Sequence, residues 1–502
     1  MMKSILRGFL FLVLAISLFT CKKEANNPND DPHNPTTSIT SPNWSIPKLP
    51  SLGSSFDNFF NPTSVIEIRL FFTEEEWNGL LHDFDMNNRN ELYRFAKCRI
   101  TGNGLDLTLL GVGVRLRGNT SRKRPEDGYG NHLSSNQLNR VHFKIKLNHD
   151  FSKDESAYGT PSVDVPTNTA LKNQQLLDNV KAINLKYNKD DPSYIREALS
   201  YDQFRNFGVE VVHTTFARLF IRIGSESERY IGVYLAFEDI DKTWIRKRNA
   251  GADGTMFKCL WQDFGPADLT TNDFDGSLKT GRIGEEKTDP SSNAVFTSGF
   301  SPYHPAYDLK EDPTGTGVTD LNSLITFLNG NPTKEQLEST IDVQAFLRAL
   351  AVNVMIGMAD DYWRGGNNFY LYKNPSNSKW SFLPYDYDRT FGINTFGPET
   401  STSSVINWGD NSGTSCNPIL VKRILAIPQY MIDYKTYLTS MVDSGYYTES
   451  YVIGRIQQMQ SAISSYTSGY NISYDSYPFS QDLSSFRTYI RKRIEAVNSE
   501  CR

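Results

Sequence analysis

The stretch from Met358 to Gly392 reads MADDYWRGGNNFYLYKNPSNSKWSFLPYDYDRTFG, and its order of acids, amides and apolar runs decides how the chain folds. Ahead of it, Asp342 can cap a helix in which Val343, Phe346, Leu347, Leu350, Val354 and Met358 fall at helical spacing, so one face enters a core. That helix delivers Asp360 and Asp361. After Gly365, Gly366, Asn367 and Asn368 come Phe369–Tyr372, a turn at Asn374–Asn377 and Trp380–Leu383, which predict a hairpin behind an acidic loop. Pro384 closes the strand, and extended geometry through Tyr385-Asp386-Tyr387-Asp388 puts the Asp386 and Asp388 carboxylates on one side. Helix and hairpin thereby hold separated acids around one point.

Core helix, Asp, Asn, hairpin, Asp is also the order in which protein kinases build a phosphoryl-transfer site, where one Asp orients the hydroxyl while the Asn and the second Asp hold Mg²⁺. The letters His-Arg-Asp, Asp-Phe-Gly and Val-Ala-Ile-Lys are absent. Upstream, Leu107–Leu116 and Val141–Leu147 read as strands of one lobe. In the second, Lys144 and Lys146 point away from Phe143, Ile145 and Leu147, so they either face a cleft, with Lys146 preferred, or face solvent. Arg115 and Arg117 share a face in the same manner and, with the loop at Gly118 and Ser121, can cradle phosphate. Glu197, in the helix Ser193–Phe207, either pairs with a strand lysine or is an ordinary surface glutamate.

Further out, Ser64–Phe72 reads as the first strand, with Thr73 capping a helix and Glu76 completing a capping box. Thr215–Ile223 and Tyr230–Glu238 read as a strand pair, Met256–Leu260 as a short strand, and Trp261 to about Asp320 as an irregular surface insertion. Helices are expected at Asn417–Ile427, Pro428–Ser444, Thr448–Ser465 and Ser480–Ala496. The expected class is α+β, a two-lobed atypical protein-kinase-like fold with a mixed strand and helix N-terminal lobe and a mainly helical C-terminal lobe.

Lys3 and Arg7 precede the apolar run Gly8–Phe19, too short for a span of about 20 residues, and Cys21 follows. Residues 1–20 therefore read as a lipoprotein signal peptide, with Cys21 the lipid anchor to the membrane, and 21–60 as a flexible polar tether. The remaining Cys98, Cys259, Cys416 and Cys501 permit three complete disulfide pairings in an exported chain. The seven His are scattered without HExxH, which disfavours zinc. The 502 residues carry 52 Lys and Arg against 57 Asp and Glu, a formal charge of −5, so no global basic field draws the protein to nucleic acid.

Met358 through Tyr362, Asn368 through Tyr372 and Trp380 through Gly392 together resemble the hallmark of the CotH family. Val112–Ser121 is similar to its Arg-Gly-Asn strand and loop, Phe143–Leu147 to its lysine strand, and Tyr230–Tyr234 with Glu238, then Met256–Lys258, to further blocks. Members of that family are described as secreted atypical kinases that use ATP and a divalent metal, Mg²⁺ or Mn²⁺, to phosphorylate protein hydroxyls. The resemblance covers about 61–502 and implies an extracytoplasmic kinase with a protein substrate. It implies Asp361 as the catalytic acid with Asp360 its rival, Asn368, Asp386 and Asp388 as metal ligands, and Lys146, Lys144, Arg117, Glu197 and Glu238 at the nucleotide. The alternative on the same fold is a non-catalytic surface binding or adhesion module. Retention of all the expected acids favours catalysis.

Overall fold

Along Val65–Phe72 the residues alternate so that Ile66, Ile68, Leu70 and Phe72 are buried, the period-two signature of a strand covered on one side. In the computed structural model, which describes residues 45–119, 121–126, 138–151, 168–177, 179–249, 252–271, 281–287, 303–393, 400–409, 416–470 and 477–502, this strand β1 begins a closed barrel. It is followed by β2 (Arg94–Gly102), β3 (Leu105–Leu116), β4 (Phe143–Lys146), β5 (Ala182–Lys186), β6 (Thr214–Ile223) and β7 (Arg229–Glu238). The barrel order is β1-β2-β3-β4-β5-β7-β6, and the β6–β1 seam is its one parallel pairing. Closure leaves no open edge on this sheet.

A second sheet, in the order β12-β11-β8-β10-β9, is built from β8 (Thr255–Cys259), β9 (Ile283–Gly284), β10 (Tyr307–Glu311), β11 (Phe369–Lys373) and β12 (Trp380–Pro384). The helix Val343–Ile356 packs into the same core as this sheet, capped at its start by Asp342 and stopped by Gly357 in the left-handed region at φ 72°. Glycine is required there, because an added Cβ would fall 1.8 Å from the Tyr489 hydroxyl. Helices Pro428–Asp443, Glu449–Ile463 and Ser484–Cys501 complete the C-terminal part. The chain is thus α+β, as expected, but the N-terminal strands form a barrel and the expected hairpin is the edge of a five-stranded sheet.

Four local expectations change. Order begins before Ser64: helix Ser54–Phe59 lies in the stretch read as tether, and Phe56, Phe59 and Phe60 are buried against the barrel core. The supposed insertion contributes β9 and β10, because Tyr307–Glu311 gains its hydrogen bonds from β8, a long-range partner that local composition does not reveal. Thr73 caps its helix as read, while the Glu76 carboxylate reaches across to accept the Phe95 N–H at 2.8 Å. Among the described residues no disulfide joins Cys98, Cys259, Cys416 and Cys501, and burial pushes the Cys98 thiol up to about 12. No helix among the described residues is long and apolar enough to cross a membrane. The signal sequence and Cys21 lie outside the described residues.

Candidate functional site

The barrel wall β3-β4-β5 sorts its side chains by parity. Val114, Leu116, Phe143, Ile145, Ile183 and Leu185 fill the barrel core, and the alternate residues Arg115, Arg117, Lys144, Lys146, Asn184 and Lys186 line a cavity of about 1180 Å³. Met256 and Lys258 of β8, Tyr370 of β11, and Tyr385, Asp386, Asp388 and Arg389 line it as well. The parity of Lys144 and Lys146 was legible in the sequence. The lysine at the acidic centre is a different one.

Lys186, 5% exposed, lies with its Nζ 2.9 Å from Glu197, 2.9 Å from Asp388 and in hydrogen-bond contact with Asp386. Lys146 pairs with Ala182 in the β4–β5 register, four residues along β5 from Lys186, which is about 13 Å at the usual rise per residue. Lys144 is engaged elsewhere, 2.6 Å from Asp239. The helix Arg196–Asn206 carries Glu197, so the expected helix glutamate does meet a strand lysine, Lys186 rather than Lys144 or Lys146. Strand β5, Ala-Ile-Asn-Leu-Lys, is short and interrupted by Asn184, and its one local signal is the alternation of Ile183 and Leu185 with Asn184 and Lys186.

Burial alone would push the Lys186 ammonium down, but Asp386, Asp388 and Glu197 outweigh it and hold the group well above the ordinary lysine value. Asp386 resists the same burial because Lys186 and Arg117 hold its carboxyl well below the usual range. Glu197 is pushed up to about 7 by burial, against the pull of Lys186 and with the Asp386 and Asp388 charges adding to the rise. Asp388 is raised by burial, with Lys186 opposing and Asp386 reinforcing the shift.

The doubled acids of the loop separate by environment. Asp361, 2% exposed, caps the short helix Tyr362–Gly365 by accepting the Arg364 N–H at 2.7 Å, and it also accepts from Trp408 Nε1 at 2.9 Å and from the Asn353 amide. It is a buried structural cap. Asp360 lines the cavity, and its Oδ1 accepts a hydrogen bond from Asn367 Nδ2 at 2.8 Å. Burial raises its carboxyl, while the Asn367 bond opposes the rise. Asn368 also lines the cavity and donates to the Asp360 carbonyl at 2.9 Å. Asn368 and Asp386 both adopt left-handed backbone, at φ 60° and 63°, a conformation uncommon outside glycine that turns each side chain inward. Asp386 therefore reaches Lys186 by a turn rather than by the extended path expected from the sequence, with its N–H held by the Tyr201 hydroxyl at 3.0 Å.

Asp361 carries a pH prediction. Burial pushes its carboxyl from an ordinary 3.8 to about 6. Because the folded value is raised, the stability it contributes is fully present below about 4 and is lost as pH rises through about 6, a total of about 3 kcal/mol. Asp361→Asn is expected to flatten the stability curve by that amount between those limits, as measured by urea unfolding at a series of pH values. An unchanged slope would exclude this assignment.

Arg117 donates to the Tyr385 hydroxyl at 2.6 Å and lines the cavity, whereas Arg115 is paired with Glu91 at 2.8 Å. Glu238 is not brought to the cavity: it is buried in an ion pair with Arg248 at 2.7 Å, beside His213. The residue after it, Asp239, takes a place on the cavity wall. The described lining holds fourteen lysines and arginines against ten aspartates and glutamates, an excess of four cations in a chain whose net charge is −5. Such a cavity attracts anions.

The same centre suits a divalent cation. Oxygens of Glu197, Asp386 and Asp388 lie within 4.8 Å of one another, and three carboxylates surround one ammonium, leaving negative charge in excess. An all-oxygen donor set, with Asn368 lining the same cavity, is the chemistry that Mg²⁺ or Mn²⁺ accepts.

The family model described as CotH kinase protein matches residues 114–497, and the chain belongs to the CotH family. It is 27% identical over 288 residues to the inner spore coat protein H of Bacillus subtilis, covering 56% of this chain and 68% of that one. It is 25% identical over 279 residues to Invasin CotH2 of Rhizopus delemar, covering 54% of this chain. The chain spans only 42% of the length of that invasin.

Proposed function

We propose that this protein is an extracytoplasmic atypical protein kinase that transfers the γ-phosphate of ATP to a protein hydroxyl with the help of Mg²⁺ or Mn²⁺. The observation that carries the reading is the contact of one buried strand lysine, Lys186, with a helix glutamate, Glu197, and with the aspartates that follow a hairpin, Asp386 and Asp388. Phosphoryl transfer uses a lysine and glutamate pair of this kind, together with a metal-binding aspartate. On this reading the barrel is the N-terminal lobe, the second sheet and its helices are the other, and the cavity lies between them.

Asp360 accepts the proton of the acceptor hydroxyl as its oxygen bonds to the γ-phosphorus and the bond to the ADP oxygen breaks. Lys186 and Arg117 bind phosphate oxygens, and the cation excess of the cavity draws the polyanion in. Asp386, Asn368 and Asp388 would hold the divalent cation, which when bound supplies charge neutralisation at the phosphates. Exclusion of water and the fixed alignment of these groups do the rest.

Calorimetric titration with ATP tests the reading. Saturable binding is expected in the presence of Mg²⁺ or Mn²⁺, weakened at least tenfold by Asp386→Asn, about 1.4 kcal/mol in affinity. Binding indifferent to both cation and variant would contradict it.

A second reading, a surface adhesion module, is favoured by the name invasin borne by one group of relatives. The names of the relatives also support a place at a coat or cell surface, with Cys21 as the proposed lipid anchor. Adhesion by the soluble body that survives Asp386→Asn unchanged, without any nucleotide binding, would favour that reading.

A further inference from the structure

One stretch of chain, from Met256 to Trp261, contributes to the cavity wall. In β8, Met256 pairs with Tyr372 and Cys259 with Phe369. Met256 lies on the cavity wall together with Ile240 and Asp241, and the chain then runs past Lys258 to Trp261, five residues on. At about 3.3 Å per residue these ends are roughly 16 Å apart. Lys258 lies between, 5.0 Å from the Tyr385 ring and close enough to lower the Asp386 carboxyl.

The Trp261 end is fastened to the acid loop. The Trp261 N–H donates to Asn367 Oδ1 at 2.7 Å, and the other end of the same amide, Nδ2, donates to Asp360 Oδ1 at 2.8 Å. Two further bonds hold the segments together, from Ala267 N–H to the Gly366 carbonyl at 2.8 Å and from the Tyr362 hydroxyl to the Asp268 carbonyl at 3.2 Å. Despite this fastening Trp261 remains 38% exposed, whereas the five other tryptophans among the described residues are buried. A part-exposed tryptophan in a cavity lining, joined through one amide to the Asp360 carboxylate, is the type of anchor that peptide-binding surfaces use.

We propose that Trp261 is the platform on which the acceptor polypeptide lies, and that Asn367 is a positioning residue that sets the Asp360 carboxylate toward the acceptor hydroxyl. This rests on the phosphoryl-transfer reading for the role of Asp360, but acceptor binding at Trp261 is separable from it. The bidentate amide makes the coupling. One side chain holds both the wall that binds the acceptor and the group that takes its proton, so wall and acid move together.

Two measurements on the soluble body decide the matter. Binding of a fluorescent mixture of nonapeptides with a central serine is followed by anisotropy without nucleotide or metal. Trp261→Ala is expected to weaken it roughly tenfold with ATP affinity unchanged. Transfer of labelled γ-phosphate to the same peptides is followed in Asn367→Ala and Asn367→Asp. Both are expected to lower turnover roughly 100-fold, the scale of a misplaced catalytic group, with ATP affinity and melting temperature retained, and with peptide KM retained in Asn367→Asp. Asn367→Asp keeps an oxygen for the Trp261 N–H but loses the donor to Asp360, so its loss of turnover separates positioning of the acid from support of the wall. Peptide binding unaffected by Trp261→Ala overturns the platform. Turnover unchanged in the Asn367 variants, or ATP affinity falling in parallel with it, overturns the positioning role. Absence of ATP binding in the wild type, with peptide binding still dependent on Trp261, would strike the phosphoryl-transfer reading and leave the platform standing.

Discussion

Lys186→Ala is expected to lower phosphoryl transfer about a thousandfold, the scale of removing a preorganised charge from a transition state. The same change is expected to destabilise the fold at pH 7 by about 3–5 kcal/mol, because it leaves buried acids without their common partner. Both effects follow from one geometry, in which a single ammonium serves Glu197, Asp386 and Asp388. The destabilisation has a defined pH dependence. Glu197 is already held up at about 7 with the lysine present, and without the lysine its carboxyl rises further. A raised carboxyl favours the folded state while it is protonated, so the variant recovers stability as pH falls below 7 and loses it as pH rises. Urea unfolding of both proteins at pH 5 and pH 7 checks this, and a stability difference that does not narrow at pH 5 counts against the shared ion cluster.

Asp386→Asn is expected to cost transfer about as much, roughly a thousandfold, with a smaller loss of stability than Lys186→Ala. The lysine still meets Glu197 and Asp388 at 2.9 Å each, and the Asp386 N–H still donates to Tyr201, so no buried charge is stranded. The two variants therefore separate a structural charge from a chemical one. A loss of stability in Asp386→Asn equal to that of Lys186→Ala would mean that the cluster is chiefly a scaffold.

Much of the second sheet and its central helix was legible because local pattern dictates it. Asp342 caps the helix Val343–Ile356 as its position implied, and the two apolar runs on either side of Asn374 form β11 and β12. What sequence could not supply was long-range pairing. Tyr307–Glu311 reads as polar loop until β8 lies beside it, and β5 is too short to announce itself although it carries the lysine of the site. The choice between Asp360 and Asp361 was also invisible to spacing, since adjacent residues share a position in any order of motifs. One local signal was available: an Asp three residues before the Arg364 N–H is placed to cap a turn, which is what Asp361 does. Glu238, the last residue of β7, sends its carboxylate to Arg248, while Asp239 just beyond the strand lines the cavity.

The most direct test follows labelled γ-phosphate from ATP to a protein acceptor with Mg²⁺ or Mn²⁺, comparing the wild-type body with Asp360→Asn, which alters a cavity carboxylate that caps no helix. The expected result is transfer by the wild type and a loss of about a thousandfold in the variant, with ATP affinity and melting temperature retained. Undiminished labelling by Asp360→Asn would contradict the assignment of Asp360 as the residue that takes the acceptor proton.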